Sequence, residues 1–422
     1  MSIFHQLYKT LSLLLTPLFL LLKSTEKNIS ELKGFLPEVK STGRTCLWVH
    51  ALSVGEITAV KPIIHELRKQ FDNPVIYLSV STVAGFNNAS KEIFYDYLSY
   101  IPLDNPTYIK TALQRVKPEM VIVTETGFWI NMLCMLKEAG IPAFLVHGRI
   151  SEKSLKNYLF FKSFFSEVLN SFKLLITKSE MQRQNFIALG VDEKKVLYCG
   201  DSKFDSFAPV EETTKELYRE LFQLEGQKVF VAGSTHEGEE EVVLDIFDRI
   251  LKDRSGRFQD ILLIIAPRRI ERVAEIEEMC KKKGLSYLLR SNLNTSGSRP
   301  QKSPIILLDT VGELKSVYAL ADLVFIGRSL FPAGGGHSIL EPAYEGKFSL
   351  FGQYFSYNIE DAERIEALGA AKQVNSAQEL ESAVIDFFTT PPTGYKENLQ
   401  KFFHQESGAS SRIVFTIKKE LS

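Results

Sequence analysis

Short hydrophobic runs alternate with longer amphipathic segments along most of the chain. In the first half, these runs have the length and the content of branched and aromatic residues that buried strands have. They cover residues 46–50, 75–81, 97–101, 120–124, 143–147, 174–177 and 196–199. Segments with a helical spacing of apolar residues, such as 59–69, lie between them. Strands and helices that alternate in this way predict a parallel sheet covered by helices on both faces.

The same alternation starts again after a polar link at residues 206–215. The second set of predicted strands covers residues 229–233, 261–266, 287–289, 305–309, 323–327 and 348–351. A chain of 422 residues also exceeds the size at which one hydrophobic core stops growing. We therefore expect an α/β protein with two Rossmann-like, doubly wound domains that face a cleft. The predicted division is an N-terminal segment at 1–35, a first domain at 36–205, a linker at 206–225 and a second domain with C-terminal helices at 226–422.

The N-terminal segment contains an apolar run that suggests a membrane anchor. Residues 11–22 form an apolar run of twelve between Lys9 and Lys23, which is shorter than the roughly 20 residues that a spanning helix needs. No small-residue cleavage site follows the run, as a secretory signal would require. The pattern favours a retained anchor that lies in one face of the membrane, and a helix buried in the first domain is the alternative.

Charge and cysteine usage exclude several classes of protein. The formal net charge is −1, so the chain has no overall electrostatic reason to bind nucleic acid. Its four cysteines are far apart and form no Cys-x-x-Cys pair. Neither a disulfide framework nor a zinc site is indicated, and a reducing compartment is the simplest setting.

Residues 324–343 combine a strand, a glycine-rich loop and a helix start. Glycines allow a ligand to approach the backbone, and the free N–H groups of a helix start favour a phosphate. Glu341 could accept hydrogen bonds from sugar hydroxyls. The spacing from Ser338 to Glu341 also fits a capping box, in which the glutamate only completes the helix end. Spacing alone favours the capping box.

Four strand-to-helix junctions share this form, with a serine or threonine followed three residues later by glutamate. They lie at residues 53–56, 234–237, 310–313 and 338–341. A capping box explains each one separately. It does not explain why glycine so often accompanies the glutamate, because glycine costs a helix roughly 1 kcal/mol relative to alanine. Close approach of a ligand would explain the glycines.

These residues resemble the 3-deoxy-D-manno-octulosonic acid (Kdo) transferases of lipopolysaccharide synthesis, which have the GT-B glycosyltransferase fold. The resemblance covers nearly the whole chain, and the order and spacing of its motifs are specific. The strongest motifs lie at residues 50–56, 233–239, 266–268, 309–314 and 335–342, and weaker ones lie at 125–131, 149–152 and 203–205. The short apolar N-terminus also resembles the membrane anchor of that family.

The resemblance implies an inverting enzyme that moves Kdo from CMP-Kdo to a lipid A precursor, with no metal and no cofactor. It implies Glu56 as general base, with Glu125 and Lys203 as further catalytic groups. The dipole at the start of its helix predicts that Glu56 is ionised. Implied acceptor-side residues are Ser53, Gly55 and Arg149. Implied donor-binding residues are Ser234, Thr235, Glu237, Pro267, Arg268, Val311, Gly312, Glu313, Gly336, His337, Ser338, Ile339, Leu340 and Glu341.

The chain departs from the family pattern at a few of these motifs. Gly127 stands where a second glutamate is usual, which leaves the acceptor open. Arg269 and Ser338 differ on the donor side, Arg328 replaces a glycine, and His147 replaces an asparagine. A GT-B enzyme with another nucleotide sugar or acceptor, and a non-catalytic membrane-bound protein that binds nucleotide sugars or lipids, are the alternative functions.

Residues 153–165 mix lysines with aromatic residues. Beside an N-terminal anchor, this stretch could lie on anionic lipid, with lysines on phosphates and aromatic rings in the interface. A helix that buries its aromatic rings in an ordinary core is equally compatible with the pattern. Together with the anchor, the resemblance implies a protein on the cytoplasmic face of the inner membrane.

Overall fold

The computed structural model of the protein describes residues 3–23, 28–40, 43–125, 128–253, 258, 260–293, 303–332, 334–356 and 359–421. The chain divides into two compact units. The first unit consists of Met1–Ser206 and Glu406–Ser422, and the second unit consists of Phe207–Gln405. Each unit is built around its own parallel sheet.

The sheet of the first unit has seven strands within the described residues. They are β1 (Cys46–Ala51), β2 (Val75–Val80), β3 (Tyr97–Tyr100), β4 (Met120–Thr124), β5 (Ala143–Gly148), β6 (Leu174–Thr177) and β7 (Val196–Tyr198). Their order is β3-β2-β1-β4-β5-β6-β7, and neighbouring strands run parallel. All seven coincide with predicted strands, so the doubly wound first sheet is confirmed.

The sheet of the second unit also has seven strands in the part of the chain that is described. They are β8 (Lys228–Thr235), β9 (Ile261–Pro267), β10 (Leu288–Leu289), β11 (Ile305–Leu307), β12 (Leu323–Ile326), β13 (Phe348–Gly352) and β14 (Ala371–Val374). Their order is β10-β11-β9-β8-β12-β13-β14, again all parallel. The first six were predicted. β14 was missed because Lys372 and Gln373 give it little hydrophobic character, and it exists by pairing with β13 at the sheet edge.

Helices connect the strands in both units. The first unit contains α1 (Ile3–Lys23), α2 (Ile29–Leu32), α3 (Val54–Gln70), α4 (Val83–Ala89), α5 (Pro106–Val116), α6 (Ile130–Glu138), α7 (Glu152–Phe160), α8 (Lys162–Leu169) and α9 (Glu180–Ala188). The second contains α10 (Glu212–Leu221), α11 (Glu239–Leu251), α12 (Val273–Lys283), α13 (Leu314–Leu320), α14 (Leu340–Tyr344), α15 (Ile359–Ala367), α16 (Ala377–Thr389) and α17 (Tyr395–Glu406). The chain then returns to the first unit as α18 (Ala409–Leu421).

Alternate residues of the first sheet enter separate cores on its two faces. Trp48 and Val121 belong to one hydrophobic cluster, to which helices α5, α6, α8 and α9 also contribute. Leu47 and Ile122 belong to the other cluster, which α3 and α18 cover. Because both faces are buried, these strands read as continuous hydrophobic runs rather than as an alternating pattern.

The last helix belongs to the first unit, which differs from the predicted division at 226–422. Ile413, Val414 and Ile417 of α18 are fully buried in the cluster that covers one face of the first sheet. Asp205 also accepts hydrogen bonds from the backbone N–H groups of Gly408 and Ser410 at the start of α18. The amphipathic pattern of α18 predicted a helix but carried no information about which sheet it covers.

The N-terminal apolar run forms part of α1, and α1 packs on the first unit through its polar face. Hydrogen bonds join Tyr8 to Asp104 (2.9 Å), Ser12 to Asn131 (3.0 Å) and Thr16 to Asn105 (3.1 Å). Residues spaced by four lie on one side of a helix, so the polar residues point inward here. No helix in the described part of the chain is long and apolar enough to cross a membrane.

Each sheet has a point at which the strand order reverses direction, between β1 and β4 in the first sheet and between β8 and β12 in the second. In doubly wound sheets, the loops at the carboxyl ends of these two strands diverge and leave a crevice for ligands. The loops after β1 and β4, and those after β8 and β12, carry most of the predicted site residues.

Candidate active site

Glu56 lies at the reversal point of the first sheet, in the first turn of α3. The residue is only 7% exposed. Its Oε2 atom accepts hydrogen bonds from the backbone N–H of Leu52 (2.8 Å), after β1, and from the hydroxyl of Thr124, at the end of β4. Among the described residues, no hydrogen bond reaches Oε1. The carboxylate is therefore fixed through one oxygen and has its other oxygen available to a ligand.

The capping box predicted at residues 53–56 does not form. Ser53 is the N-cap of α3, but its side chain makes no capping hydrogen bond. The Glu56 carboxylate bonds the N–H of Leu52 rather than that of Ser53. Gly55 has no atom within 4 Å of the position that a Cβ would take. Neither helix capping nor packing explains the glycine and the glutamate, so a role toward a ligand is the better interpretation.

Burial raises the pKa of Glu56 to about 7, although the hydrogen bonds from Thr124 and Leu52 oppose the shift. The charge of Glu125 adds to the increase. Desolvation at this buried position therefore opposes the ionised form of Glu56 that the helix dipole was predicted to favour. A carboxyl group that titrates near neutral pH is suited to take a proton and to release it again.

Glu125 and His50 adjoin Thr124, the residue that holds Glu56: Glu125 follows it in the chain, and the His50 carbonyl accepts a hydrogen bond from the Thr124 hydroxyl (3.1 Å). Glu125 follows β4 with a φ of +51°, in the left-handed region that glycine favours. His50 is buried in β1, and burial lowers its pKa to about 3. Its Nδ1 lies 3.0 Å from the Ser79 hydroxyl. The imidazole is therefore neutral near pH 7.

Lys203 lies in a short turn, Ser202–Ser206, that packs against α3. Its ammonium is 3.4 Å from the Asp201 carboxylate. Burial alone would raise the pKa of Asp201, but Lys203 and other cations hold it below its usual value. His147 accepts a hydrogen bond from the Ser202 N–H (3.3 Å) through Nε2 and thereby fixes the start of this turn. Sequence reasoning treated His147 only as a departure and missed this contact.

The acceptor-side residues are less closely grouped. Ser53 and Gly55 lie beside Glu56 in the first turn of α3, whereas Arg149 is exposed after β5, one strand beyond β4. Gly127 lies outside the described residues. The structure thus brings Ser53, Gly55 and Glu125 together around Glu56 and places Arg149 further along the same sheet edge.

In the second unit, Glu239 joins the two loops at the reversal point. It is 1% exposed and accepts four backbone hydrogen bonds: from His236 (2.9 Å) after β8, and from Arg328 (2.7 Å), Ser329 (2.8 Å) and Leu330 (3.0 Å) after β12. The neighbouring Glu237, which the motif spacing singled out, is exposed. The helix start predicted at Ser234 begins at Glu239 instead. Glu239 thus holds the shape of both loops.

The loops that Glu239 joins present basic and histidine side chains. His236 and His337 stack with ring centroids 5.3 Å apart. Burial lowers the pKa of His337 to about 4, and the nearby charges of His236, Arg268 and Arg328 lower it further. Its Nε2 is buried without a hydrogen-bond partner among the described residues. This nitrogen is therefore available to hydrogen-bond a ligand.

The other donor-side residues after β8 and β9 differ in exposure. Thr235 and Pro267 end their strands as buried residues, and Ser234 has a φ of +56°. Arg268 is exposed, and its guanidinium makes no ion pair with a described residue. Arg268 is therefore available to an anion at the edge of the sheet.

The turn at residues 311–313 lies after β11. Val311 is 87% exposed, and Gly312 has a φ of +88°. Glu313 forms an ion pair of 2.7 Å with Arg290 and makes no capping hydrogen bond to Thr310, so the capping box predicted here is absent. The backbone of Val311 and Gly312 remains open to a ligand, while the Glu313 carboxylate already has a partner.

Glu341 lies in the first turn of α14, which begins at Leu340, after Ser338. The N-cap is Ile339, and no side chain caps the helix. The capping interpretation that spacing favoured for Glu341 was therefore wrong. Burial raises the pKa of Glu341, and its carboxylate accepts no hydrogen bond within the described residues. The side chains of Ile339 and Leu340 are buried, so only their backbone could contact a ligand.

Gly336, in the loop before α14, and Gly312, in the turn after β11, are required for different reasons that substitution can separate. Gly336 has a φ of +75°, and a Cβ there would overlap the Phe355 ring. Gly312 has a φ of +88° but open space around it. We expect Gly312→Ala to cost about 1–2 kcal/mol from backbone strain and Gly336→Ala about 3 kcal/mol or more. Thermal unfolding of the two variants measures the difference, and equal losses would contradict the packing argument.

No group of three or more His, Cys, Asp or Glu side chains that could hold a metal ion occurs among the described residues. The residues that sequence reasoning missed are those whose partners come from another strand. Thr124 at the end of β4 bonds Glu56 at the start of α3, and Tyr318 lies against Gly233, where any side chain would overlap its ring. In the sequence, Glu239 stood inside a motif without an assigned role.

Solved structures show the same architecture. The chain resembles the UDP-GlcNAc 2-epimerase from Neisseria meningitidis with a TM-score of 0.60 at 15% identity, over 89% of this chain and 100% of that one. A glycosyltransferase from Rickettsia africae gives a TM-score of 0.56 at 13% identity, over 90% and 99% of the two chains. At these identities the likeness concerns the fold, and it confirms the GT-B architecture.

Sequence comparisons identify the family. The profile of the 3-deoxy-D-manno-octulosonic-acid transferase (kdotransferase) family matches residues 27–206. The Kdo transferase of Rickettsia felis is 30% identical over 401 residues, which are 92% of this chain and 82% of that protein. A bifunctional glycosyltransferase/methyltransferase of Fusobacterium nucleatum is 30% identical over 379 residues, and the chain spans 57% of its length. The chain therefore belongs to the Kdo transferase family and is a glycosyltransferase.

Proposed function

We propose that this chain transfers Kdo from CMP-Kdo to a lipid A precursor, lipid IVA, with inversion and with Glu56 as general base. The observation that carries the proposal is the Glu56 carboxylate at the reversal point of the first sheet. It is buried, it titrates near neutral pH, and its Oε1 atom accepts no hydrogen bond from the described residues. These are the properties required of a base that acts on a hydroxyl group.

The proposed step is a single displacement. The acceptor hydroxyl gives its proton to Glu56 Oε1, and its oxygen forms a bond to the anomeric carbon of Kdo. The bond between that carbon and the phosphate oxygen breaks, and CMP leaves with the electron pair. One base and no enzyme nucleophile suffice for inversion. Lys203 would stabilise developing negative charge, because it is fixed against α3, the helix that carries Glu56.

The second unit has the groups that a nucleotide monophosphate ester would need. Arg268 would neutralise the phosphate, and the unpartnered Nε2 of neutral His337 would accept or donate one hydrogen bond to the donor. Glu341, whose carboxylate accepts no hydrogen bond from the described residues, would bind ribose hydroxyls. The backbone of Val311 and Gly312 would complete the donor site.

We further propose that the chain works at the cytoplasmic face of an inner membrane and is held there by α1. The leucines on the outer face of α1 are exposed, with Leu7 at 65%, Leu14 at 72% and Leu18 at 56%. A helix that buries polar residues and exposes leucines is suited to lie in a lipid interface. Phe160, after the basic first part of α7, is 84% exposed, whereas Phe164 and Phe165 pack on the core.

The membrane proposal predicts the effect of charge on the outer face of α1. The variant with Leu11→Glu, Leu14→Glu and Leu18→Glu is expected to lose binding to anionic lipid vesicles by about 100-fold or more, because each leucine contributes roughly 1.5–3 kcal/mol when buried. Vesicle flotation measures the loss. Leu217 of α10 is as exposed as Leu11, at 49%. The control variant Leu217→Glu should therefore float with the vesicles like the unmodified chain. Flotation of the triple variant would contradict the proposal.

A transfer assay tests donor, acceptor and reaction together. The full chain in detergent is incubated with lipid IVA and with CMP-Kdo that is synthesised enzymatically in the same reaction. Mass spectrometry measures the mass of the lipid product. A mass increase of one or more Kdo units supports the proposal and counts the additions. Consumption of CMP-Kdo without a new lipid would overturn the acceptor assignment. An untouched donor, together with turnover of another nucleotide sugar, would overturn the donor assignment.

A further inference from the structure

A β-bulge lies at the end of β8, beside the reversal point of the second sheet. Gly233 of β8 pairs with Ala266 of β9. Thr235 pairs with the next residue of β9, Pro267, so Ser234 is an extra residue between the two pairs. A bulge interrupts the alternation of side chains along a strand and re-aims the extra residue, and bulges are frequent next to active sites.

The backbone of Ser234 has a conformation that is unfavourable for serine. Its φ is +56°, in the left-handed region that glycine adopts freely and other residues adopt only with strain. Strain of this kind persists where the surrounding structure holds the residue in place, and it is most frequent at functional sites. Because glycine would fit the same backbone without strain, the Ser234 hydroxyl is the part of the residue that needs an explanation.

Tyr318 of α13 reaches the sheet at the residue before the bulge. Tyr318 is 2% exposed, and a Cβ on Gly233 would overlap its hydroxyl and its ring. Only glycine therefore leaves room for the phenol at this position. A hydrogen bond joins the side chains of Tyr318 and Ser234. Since α13 directly follows the turn at residues 311–313, Tyr318 connects that turn to the end of β8.

The surroundings of the Tyr318 hydroxyl decide the direction of this hydrogen bond. Burial raises the pKa of Tyr318, and the charge of Glu341 raises it further, so the phenol keeps its proton near pH 7. The Glu341 carboxylate accepts no hydrogen bond from the part of the chain that is described, which leaves the Ser234 oxygen as acceptor of the phenol proton. A hydroxyl has one proton of its own, so the Ser234 proton is left for a ligand.

We propose that Tyr318 is a positioning residue of the donor site, which holds the Ser234 hydroxyl so that it donates a hydrogen bond to the donor phosphate. The inference rests on the proposed donor site in the second unit. A hydrogen bond to a charged oxygen is roughly twice as strong as one between neutral groups, and a phosphate supplies such an oxygen. A hydroxyl that is already fixed also loses less freedom on binding than a rotating one.

CMP binding to the full chain, measured by calorimetry, tests the role of Tyr318. Tyr318→Phe keeps the ring that packs on Gly233 and removes only the hydroxyl. We expect the dissociation constant for CMP to rise about 3–10-fold, which corresponds to the loss of one hydrogen bond. Tyr395→Phe is the matched control, because Tyr395 is also buried in the second unit (6% exposed) but lies in α17. The control should bind CMP like the unmodified chain, and an unchanged constant in Tyr318→Phe would overturn the proposal.

A double-mutant cycle tests whether Tyr318 acts through Ser234. Ser234→Ala should weaken CMP binding at least as much as Tyr318→Phe, and the double variant should bind no more weakly than Ser234→Ala. Ser234→Gly removes the hydroxyl but relieves the backbone strain, so it should match Ser234→Ala in affinity and melt at a higher temperature. Additive losses of affinity in the cycle, or affinities that follow the melting temperatures, would show that Tyr318 does not position the hydroxyl.

The unmodified chain separates this inference from the proposed function. If the chain binds UMP or UDP and not CMP, the CMP-sugar assignment fails. The cycle is then measured with the nucleotide that binds, because Ser234 is proposed to contact the phosphate that all three share. If the chain binds none of the three nucleotides, the donor site and the role of Tyr318 are both overturned.

Discussion

Glu56→Gln is expected to lower the turnover number by about 10²–10⁴-fold, the range that general-base catalysis supplies. Glutamine keeps the size of the side chain, and its carbonyl oxygen can still accept the N–H of Leu52 and the hydroxyl of Thr124. It cannot take a proton from the acceptor. Rates of Kdo transfer at saturating substrates measure the loss, and CMP binding by calorimetry should be unchanged. A variant with full activity would return Glu56 to a structural role.

The pH profile provides a second test of Glu56. The base must be ionised, and burial raises its pKa to about 7, above the ordinary value of 4.5. Activity should therefore fall as the pH drops through 7. The folded state holds this proton more tightly than the unfolded chain, so ionisation of Glu56 costs stability as the pH rises toward 7. Glu56→Gln should consequently be at least as stable as the unmodified chain at pH 8.

A matched variant controls for effects on α3. Glu66 lies on the same helix and pairs with Lys69 (2.6 Å) at the surface. Glu66→Gln should retain nearly full transfer activity, because exposed ion pairs contribute little to stability. If Glu66→Gln loses as much activity as Glu56→Gln, the effect belongs to the helix rather than to the base.

Glu239→Ala is expected to have the largest effect on the second unit. The substitution leaves the backbone N–H groups of Ser329 and Leu330 buried without their acceptor, and those of His236 and Arg328 also lose their partner. The loss should be at least about 3 kcal/mol, because hydrogen bonds to a charged group contribute about 1.5–3 kcal/mol each. Thermal unfolding should show a decrease of roughly 6–12 °C.

Two further variants test whether the loss of stability in Glu239→Ala comes from the hydrogen bonds of its carboxylate. Glu241→Ala changes an exposed glutamate of the same helix turn and should leave the melting temperature within about 1–2 °C. Glu239→Gln keeps one oxygen for two of the four N–H groups and should fall between the two alanine variants. CMP binding should weaken in Glu239→Ala even below its melting temperature, since the loops that carry His337 and Arg328 lose their connection. Unchanged CMP binding would show that Glu239 has no part in the donor site.

The hydrophobic pattern determined the secondary structure and the fold class. Runs such as 120–124 and 323–327 read as buried strands because parallel strands are covered on both faces and contain few polar residues. β14 escaped this reasoning because an edge strand needs less hydrophobic character and takes its conformation from its neighbour. The hydrophobic pattern thus predicts the strands that are buried in the core. It misses an edge strand such as β14, which becomes extended only by pairing with its neighbour.

The motifs identified the right loops but not always the right residue. The residue spacing predicted that Glu56 and Glu341 both take part in capping boxes. In the structure, neither glutamate forms one. The motif spacing singled out Glu237, which is exposed in the structure. The structural role belongs to Glu239, which accepts hydrogen bonds from four backbone N–H groups. A capping box depends on where a helix begins, and a shift of one or two residues changes which side chain can reach the free N–H groups.

By itself, the sequence determined the two parallel sheets, the loops that hold the chemistry and the family, because hydrophobic periodicity and motif order are local properties of the chain. Only the tertiary structure decided that burial raises the pKa of Glu56 to about 7, that α18 completes the first unit, and that Glu239 joins the two loops of the second unit. Each of these depends on desolvation or on contacts between residues far apart in the chain. Such properties arise when strands and helices pack, and no local pattern encodes them.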